Sequence, residues 1–122
     1  MAEYQLGSVE SKFADIIWRS EPITSNALVK VSAEELGWKK STTYTVLKRL
    51  IEKGIFKNEN GTVSSVIGRE DFYAAQSERY VDDAFSGSLP AFLAAFTSRK
   101  KLSPEEVESL REIVREYEET AL

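Results

Sequence analysis

Asn60-Gly61 stands between two short runs of strand-forming residues, 56–59 and 62–66, in "IFKNENGTVSSVIG". A two-residue connection between antiparallel strands needs positive φ at both central positions, and Asn-Gly adopts that conformation most readily. A hairpin is expected here, and a lone hairpin is at best marginally stable in water. It must pack on something apolar, and every candidate upstream of it is helical.

Val9, Phe13, Ile16 and Ile17 recur at helical spacing over residues 9–19, with Trp18 widening the stripe and Ser8 or Ser11 as the N-cap. Pro22 in "SEPIT" stops that helix. A second helix is expected from Thr24 or Ser25 to Leu36, with Ala27, Leu28, Val31 and Leu36 on its apolar face. Gly37 closes it, because glycine takes the left-handed conformation of a helix end without strain. The third helix lies in "WKKSTTYTVLKRLIEKG": Ser41 or Thr42 caps it, it runs to Lys53, and Gly54 ends it. Val46, Leu47, Leu50 and Ile51 form its buried stripe, and Thr43 extends the stripe by one turn. Its opposite face carries Ser41, Thr42, Tyr44, Thr45, Lys48, Arg49 and Glu52. Helix, helix, helix, hairpin is the order of a winged helix-turn-helix, whose third helix reads DNA and whose hairpin is the wing.

Charge points to the same element. The chain carries a formal −4, yet residues 37–57 hold Lys39, Lys40, Lys48, Arg49, Lys53 and Lys57 against Glu52 alone. One basic segment in an acidic chain concentrates phosphate attraction on one helix. The bland alternative is a solvated lysine face, which the element order disfavours. Ser41, Thr42 and Thr45 are short hydroxyls able to approach bases or phosphates. Tyr44 can stack on sugar or touch a thymine methyl. Lys48 and Arg49 reach phosphate, and Arg49 has the alternative of pairing within the protein. Lys39 and Lys40 add their charge at the helix N-terminus.

The last 54 residues read as three more helices. Phe72, Tyr73, Tyr80, Val81, Ala84 and Phe85 share one side of the first, Gly87 interrupts, and "LPAFLAAF" forms a short apolar helix. The last helix opens with Ser103 as N-cap, Pro104 at the first position and Glu106 completing a capping box. Its stripe is Val107, Leu110, Ile113, Val114 and Tyr117. Three short helices cannot bury so many large apolar groups alone, and a second copy is the simplest cover. Residues Phe72, Tyr80, Phe85, Leu89, Phe92, Leu93, Phe96, Leu110, Ile113, Val114 and Tyr117 are therefore expected at a homodimer interface.

Other chemistries find little support. Cysteine and histidine are absent, which removes disulfides, thiolate chemistry and the usual general base and metal ligand. The adjacent carboxylate pairs diverge on a helix and rarely converge on one ion. No phosphate-cradling glycine motif appears. No enzyme activity, metal or cofactor is expected. The N-terminal residues lack a basic stretch followed by an apolar run, so no secretory leader is expected. No run of 18 apolar residues suggests a membrane span, and with cysteine absent a cytoplasmic location is expected.

With these residues in view, the chain resembles the BlaI/MecI/CopY family of bacterial winged-helix repressors. The resemblance runs nearly end to end and rests on "ADIIW", on "WKKSTTYTVLKRLIEKG", on "GSLPAFLAAF" and on "KLSPEEVESLREIV". It implies a homodimer that binds a palindromic double-stranded operator and represses transcription, with a sensor or protease as regulatory partner. One branch is released by cleavage of an Asn-Phe bond in the dimerisation segment, and the matching pair here is Ala95-Phe96. A copper-sensing branch uses C-terminal cysteines, and this chain has none. Family wings usually carry arginine after the glycine, where this chain has Thr62, leaving Lys57 as the wing's cation.

The expected protein is mainly α with a small β-hairpin wing. Residues 1–68 form a winged-helix DNA-binding domain and residues 69–122 a helical dimerisation domain. The expected DNA contacts are Lys39, Lys40, Ser41, Thr42, Tyr44, Thr45, Lys48, Arg49 and Lys57. Half-sites should lie roughly 34 Å apart or a multiple of that. Neutralising about 6–8 phosphates would give a log K against log salt slope near −5 to −7. The alternatives are a winged helix that binds protein rather than DNA, and a repressor gated by a small molecule in the helical tail.

Overall fold

The computed structural model describes residues 5–121. The first four residues of the stretch read for a leader therefore lie outside it. Six helices and three short strands follow the order α1 (Ser8–Ser20), β1 (Ile23–Thr24), α2 (Ser25–Leu36), α3 (Lys40–Glu52), β2 (Phe56–Glu59), β3 (Thr62–Ser65), α4 (Arg69–Phe85), α5 (Leu89–Arg99) and α6 (Pro104–Ala121). The architecture is mainly α with a winged helix-turn-helix, as expected from the sequence. The chain divides into two compact units between Arg79 and Tyr80, inside α4.

In the first unit, α1 presents Phe13, Ala14, Ile16 and Ile17 to the core. Val9 continues that stripe in sequence yet is exposed, because the core begins one turn later. The cap is Gly7 rather than Ser8 or Ser11: its N–H donates to Glu10 Oε1 at 3.2 Å, and its carbonyl accepts from Ser11 N at 2.9 Å. Thr24 caps α2 by accepting the Ala27 N–H at 3.1 Å, and Gly37 ends it at φ 68°.

The wing turn has the backbone its sequence demands, with φ 53° at Asn60 and 84° at Gly61. Asn58 Oδ1 accepts the Gly61 N–H at 3.0 Å. β2 and β3 pair antiparallel, with Phe56 opposite Ser65 and Glu59 opposite Thr62. The sheet has a third member that periodicity missed. β1 pairs with β3, Ile23 opposite Val63, giving the order β1-β3-β2. The "SEPIT" break between helices is thus an edge strand of two residues, too short to carry an alternation pattern. Glu21 secures the other end of β3, its carboxylate accepting from the Ser65 N–H at 2.9 Å and the Ser65 hydroxyl at 2.7 Å.

Phe72 corrects an expectation. It has no exposed surface, and its ring centroid lies 5.4 Å from that of Trp18 and 5.1 Å from that of Tyr73. It belongs to the first unit's core, so it has nothing to present to a second copy. Trp18 also stacks near Phe56, and its Nε1–H donates to the Ile67 carbonyl at 3.1 Å.

Ser32 of α2 is fully buried, and its hydroxyl has no hydrogen-bond partner among the described residues. An unmade buried hydrogen bond costs more than a made one contributes, and alanine is the better helix former. Ser32→Ala is expected to raise unfolding free energy by about 1 kcal/mol in urea. A loss of that size would reveal a partner for the hydroxyl.

In the second unit, the end of α4 meets α5 through rings. Tyr80, Phe85 and Phe92 have centroids 5.6–6.1 Å apart, and Phe96 follows 6.1 Å from Phe92. α6 opens as expected: Ser103 Oγ accepts the Glu106 N–H at 3.1 Å, and Glu106 Oε1 accepts the Ser103 N–H at 3.0 Å. The backbone N–H of Ser103 holds the Glu106 carboxyl below its ordinary pKa.

Candidate nucleic-acid interface

The face of α3 is set by what its other face buries. Thr43, Val46, Leu47 and Leu50 are buried, which turns Ser41, Thr42, Thr45, Lys48, Arg49 and Glu52 outward. Tyr44 is intermediate: part of its ring packs against the core, so only the remainder is available to a ligand.

The helix begins two to three residues earlier than the hydroxyls suggested. Lys39 is the N-cap, and no side chain caps the turn. The Lys39 carbonyl accepts from the Thr43 N–H at 3.0 Å and the Thr43 hydroxyl at 3.1 Å. Ser41 and Thr42 are therefore inside the first turn, their hydroxyls not spent on capping. Uncapped N–H groups with Lys39 and Lys40 beside them make a positive helix end.

Thr45 is more constrained. Its hydroxyl donates to the Ser41 carbonyl at 2.9 Å. With its proton engaged, Thr45 offers a ligand an acceptor oxygen and a methyl group, not a donor. A thymine methyl or an exocyclic amine of cytosine or adenine suits that pattern.

The cations divide into two groups. Lys39, Lys40 and Lys48 are exposed, with no carboxylate partner among the described residues. The other three are engaged. Lys57 Nζ lies 2.7 Å from Glu59 Oε1 on the same strand, and Lys57 holds the Glu59 carboxyl below its ordinary pKa. Arg49 Nη1 and Lys53 Nζ each lie 3.6 Å from the Glu10 carboxylate. Lys53 also donates to the Gln5 carbonyl at 2.9 Å and is mostly buried. Glu10, on α1, was not among the residues singled out from the sequence. No local signal could have found it, because it is remote from α3 along the chain.

The second unit leaves a broad apolar surface. No residue of α5 or α6 is buried, and Leu89, Leu93, Phe96, Ile113, Val114 and Tyr117 are exposed. Tyr80 is exposed as well, while Phe85, Phe92 and Leu110 are half-buried. A groove of about 430 Å³ between α5 and α6 is lined by Phe92, Leu93, Phe96, Leu102 and Leu110 among others. Ala95 and Phe96, the pair in the cleavage position, are exposed but sit inside the regular helix α5, where a protease would have to unwind backbone first. Among the described residues no acidic cluster could hold a metal ion, and no helix is long and apolar enough to cross a membrane.

Comparison with known proteins gives consistent likenesses. The family described as penicillinase repressor matches residues 6–116. The chain is similar to the methicillin resistance regulatory protein MecI of Staphylococcus aureus (strain Mu50 / ATCC 700699), with 25% identity over 115 residues, covering 91% of this chain and 94% of the relative. It is similar to the penicillinase repressor of Bacillus licheniformis, with 26% identity over 117 residues, covering 93% of this chain and 91% of the relative.

Proposed function

The chain belongs to the penicillinase repressor family, and from that premise we propose that it represses transcription as a homodimer on a palindromic operator. α3 of each protomer enters the major groove of one half-site. The family consists of transcriptional repressors rather than enzymes. The observation that carries the DNA reading is the outward face of α3, where hydroxyls and Lys48 stand over a stripe locked into the core. DNA binding is assigned to residues 1–68 and self-association to residues 69–122, with the start of α4 lending Phe72 to the first unit's core. A second copy covering Leu89, Leu93, Phe96, Ile113, Val114 and Tyr117 removes an apolar surface that a lone chain would expose. Its action lies in the cytoplasm, where bacterial DNA is. Release by cleavage at Ala95-Phe96 is not assigned, since the bond lies within α5 and lacks the family's asparagine.

Base contacts and phosphate contacts leave different signatures. Lys48→Ala is expected to weaken every duplex alike and to make the salt slope shallower by about 1 for each protomer. Thr45→Ala is expected to change which base is preferred at one position of each half-site, by roughly 1 kcal/mol of discrimination. Selection of bound sites from random duplexes, followed by anisotropy titrations of both variants, checks this. An equal, sequence-independent loss in both variants would overturn the assignment of Thr45 to base reading.

A further inference from the structure

Glu10 lies across the seam between α1 and α3. Its Oε1 accepts the Gly7 N–H at 3.2 Å, and its Oε2 is buried with no hydrogen-bond partner. Arg49 Nη1 sits 3.6 Å from that Oε2, too far for a hydrogen bond. The guanidinium pairs with that carboxylate, although the Arg49 side chain is 53% exposed and shares the outward half of α3 with Lys48. Burial favours the neutral carboxyl, but the Gly7 N–H, Lys53 and Arg49 outweigh it and put the Glu10 pKa below its ordinary value. Glu10 is therefore ionised at neutral pH.

We propose that Glu10 is a positioning residue for DNA binding, which holds the Arg49 guanidinium against α1 and withholds one cation per protomer from phosphate. The inference rests on α3 being the DNA-reading helix. Lys53 does not share the role, because its Nζ also donates to the Gln5 carbonyl and its side chain is only 17% exposed. Withholding a phosphate contact weakens binding to all sequences alike. Weaker nonspecific binding reduces the protein lost to competing genomic sites, and occupancy of the operator depends on that competition.

Glu10→Gln removes the charge while keeping the shape and an oxygen for the Gly7 N–H. The full chain is titrated into a fluorescent mixed-sequence duplex at several salt concentrations. Glu10→Gln is expected to bind roughly three- to tenfold more tightly at low salt, with a slope steeper by about 2 for the dimer. In an Arg49→Ala background the same change is expected to leave the slope unaltered. The slope counts phosphates, so a general loosening of the fold does not steepen it. An unchanged or shallower slope in folded Glu10→Gln overturns the proposal while leaving the DNA reading intact. Should Glu10→Gln unfold, Arg49→Ala alone decides. Its slope is expected to equal that of the unaltered chain, and a slope shallower by about 2 overturns the proposal. Absence of salt-dependent duplex binding by the unaltered chain overturns both readings together.

Discussion

Raising salt from about 50 to about 200 mM is expected to weaken duplex binding roughly a thousandfold. The figure comes from the sorting of the cations. Lys39, Lys40 and Lys48 lack carboxylate partners among the described residues, so the proposed dimer would have about six cations ready for phosphate and a slope near −5. If Arg49 and Lys57 also reached phosphate, about ten would contribute and the slope would approach −9. The same change of salt would then cost more than about a hundred-thousandfold. Fluorescence anisotropy separates these outcomes easily. A slope near −9 would mean that Glu10 and Glu59 release their cations on DNA. A slope near zero would remove the case for α3 as a DNA-reading helix and favour a winged helix that binds protein.

Phe72→Ala is expected to lower the unfolding free energy of the first unit by about 3–5 kcal/mol. Phe72 is fully buried among Trp18 and Tyr73, and truncation leaves a cavity beside two rings that cannot both collapse into it. Against a total of about 5–15 kcal/mol for a typical domain, such a loss is near the threshold for folding. Chemical denaturation followed by tryptophan fluorescence reads it directly, since Trp18 is in contact with the altered site. Phe96→Ala provides the contrast. Phe96 is 45% exposed on α5, so its removal should leave the first unit's unfolding unchanged and weaken self-association. If Phe72→Ala instead weakened self-association at unchanged stability, its placement in the core would be wrong.

Much of the winged domain was legible because the signals are local. The stripe of Val46, Leu47 and Leu50 follows from helical geometry, and all three are buried. Asn60-Gly61 specifies its own turn, and both residues have positive φ. Ser103 and Glu106 form the capping box their spacing requires. Errors arose where a local rule met a nonlocal competitor. Ser41 and Thr42 looked like caps, yet Lys39 occupies that place because the buried stripe sets where the helix starts. Phe72 shares a helix face with residues on the tail's apolar surface, but Trp18, from a remote helix, claims it for the first unit's core. β1 exists only because β3 offers it a partner.

Periodicity, turn chemistry and the concentration of lysines thus determined a winged helix, the outward face of its third helix and the apolar tail. Those properties depend on neighbours within a turn or two of each other. The charge that α3 actually presents was decided only by tertiary structure. A formal +5 over residues 37–57 is an upper bound, because Glu10 reaches α3 from another helix and engages Arg49 and Lys53. Coulomb attraction acts through space rather than along the chain, so counting charges in sequence cannot tell a free cation from an engaged one.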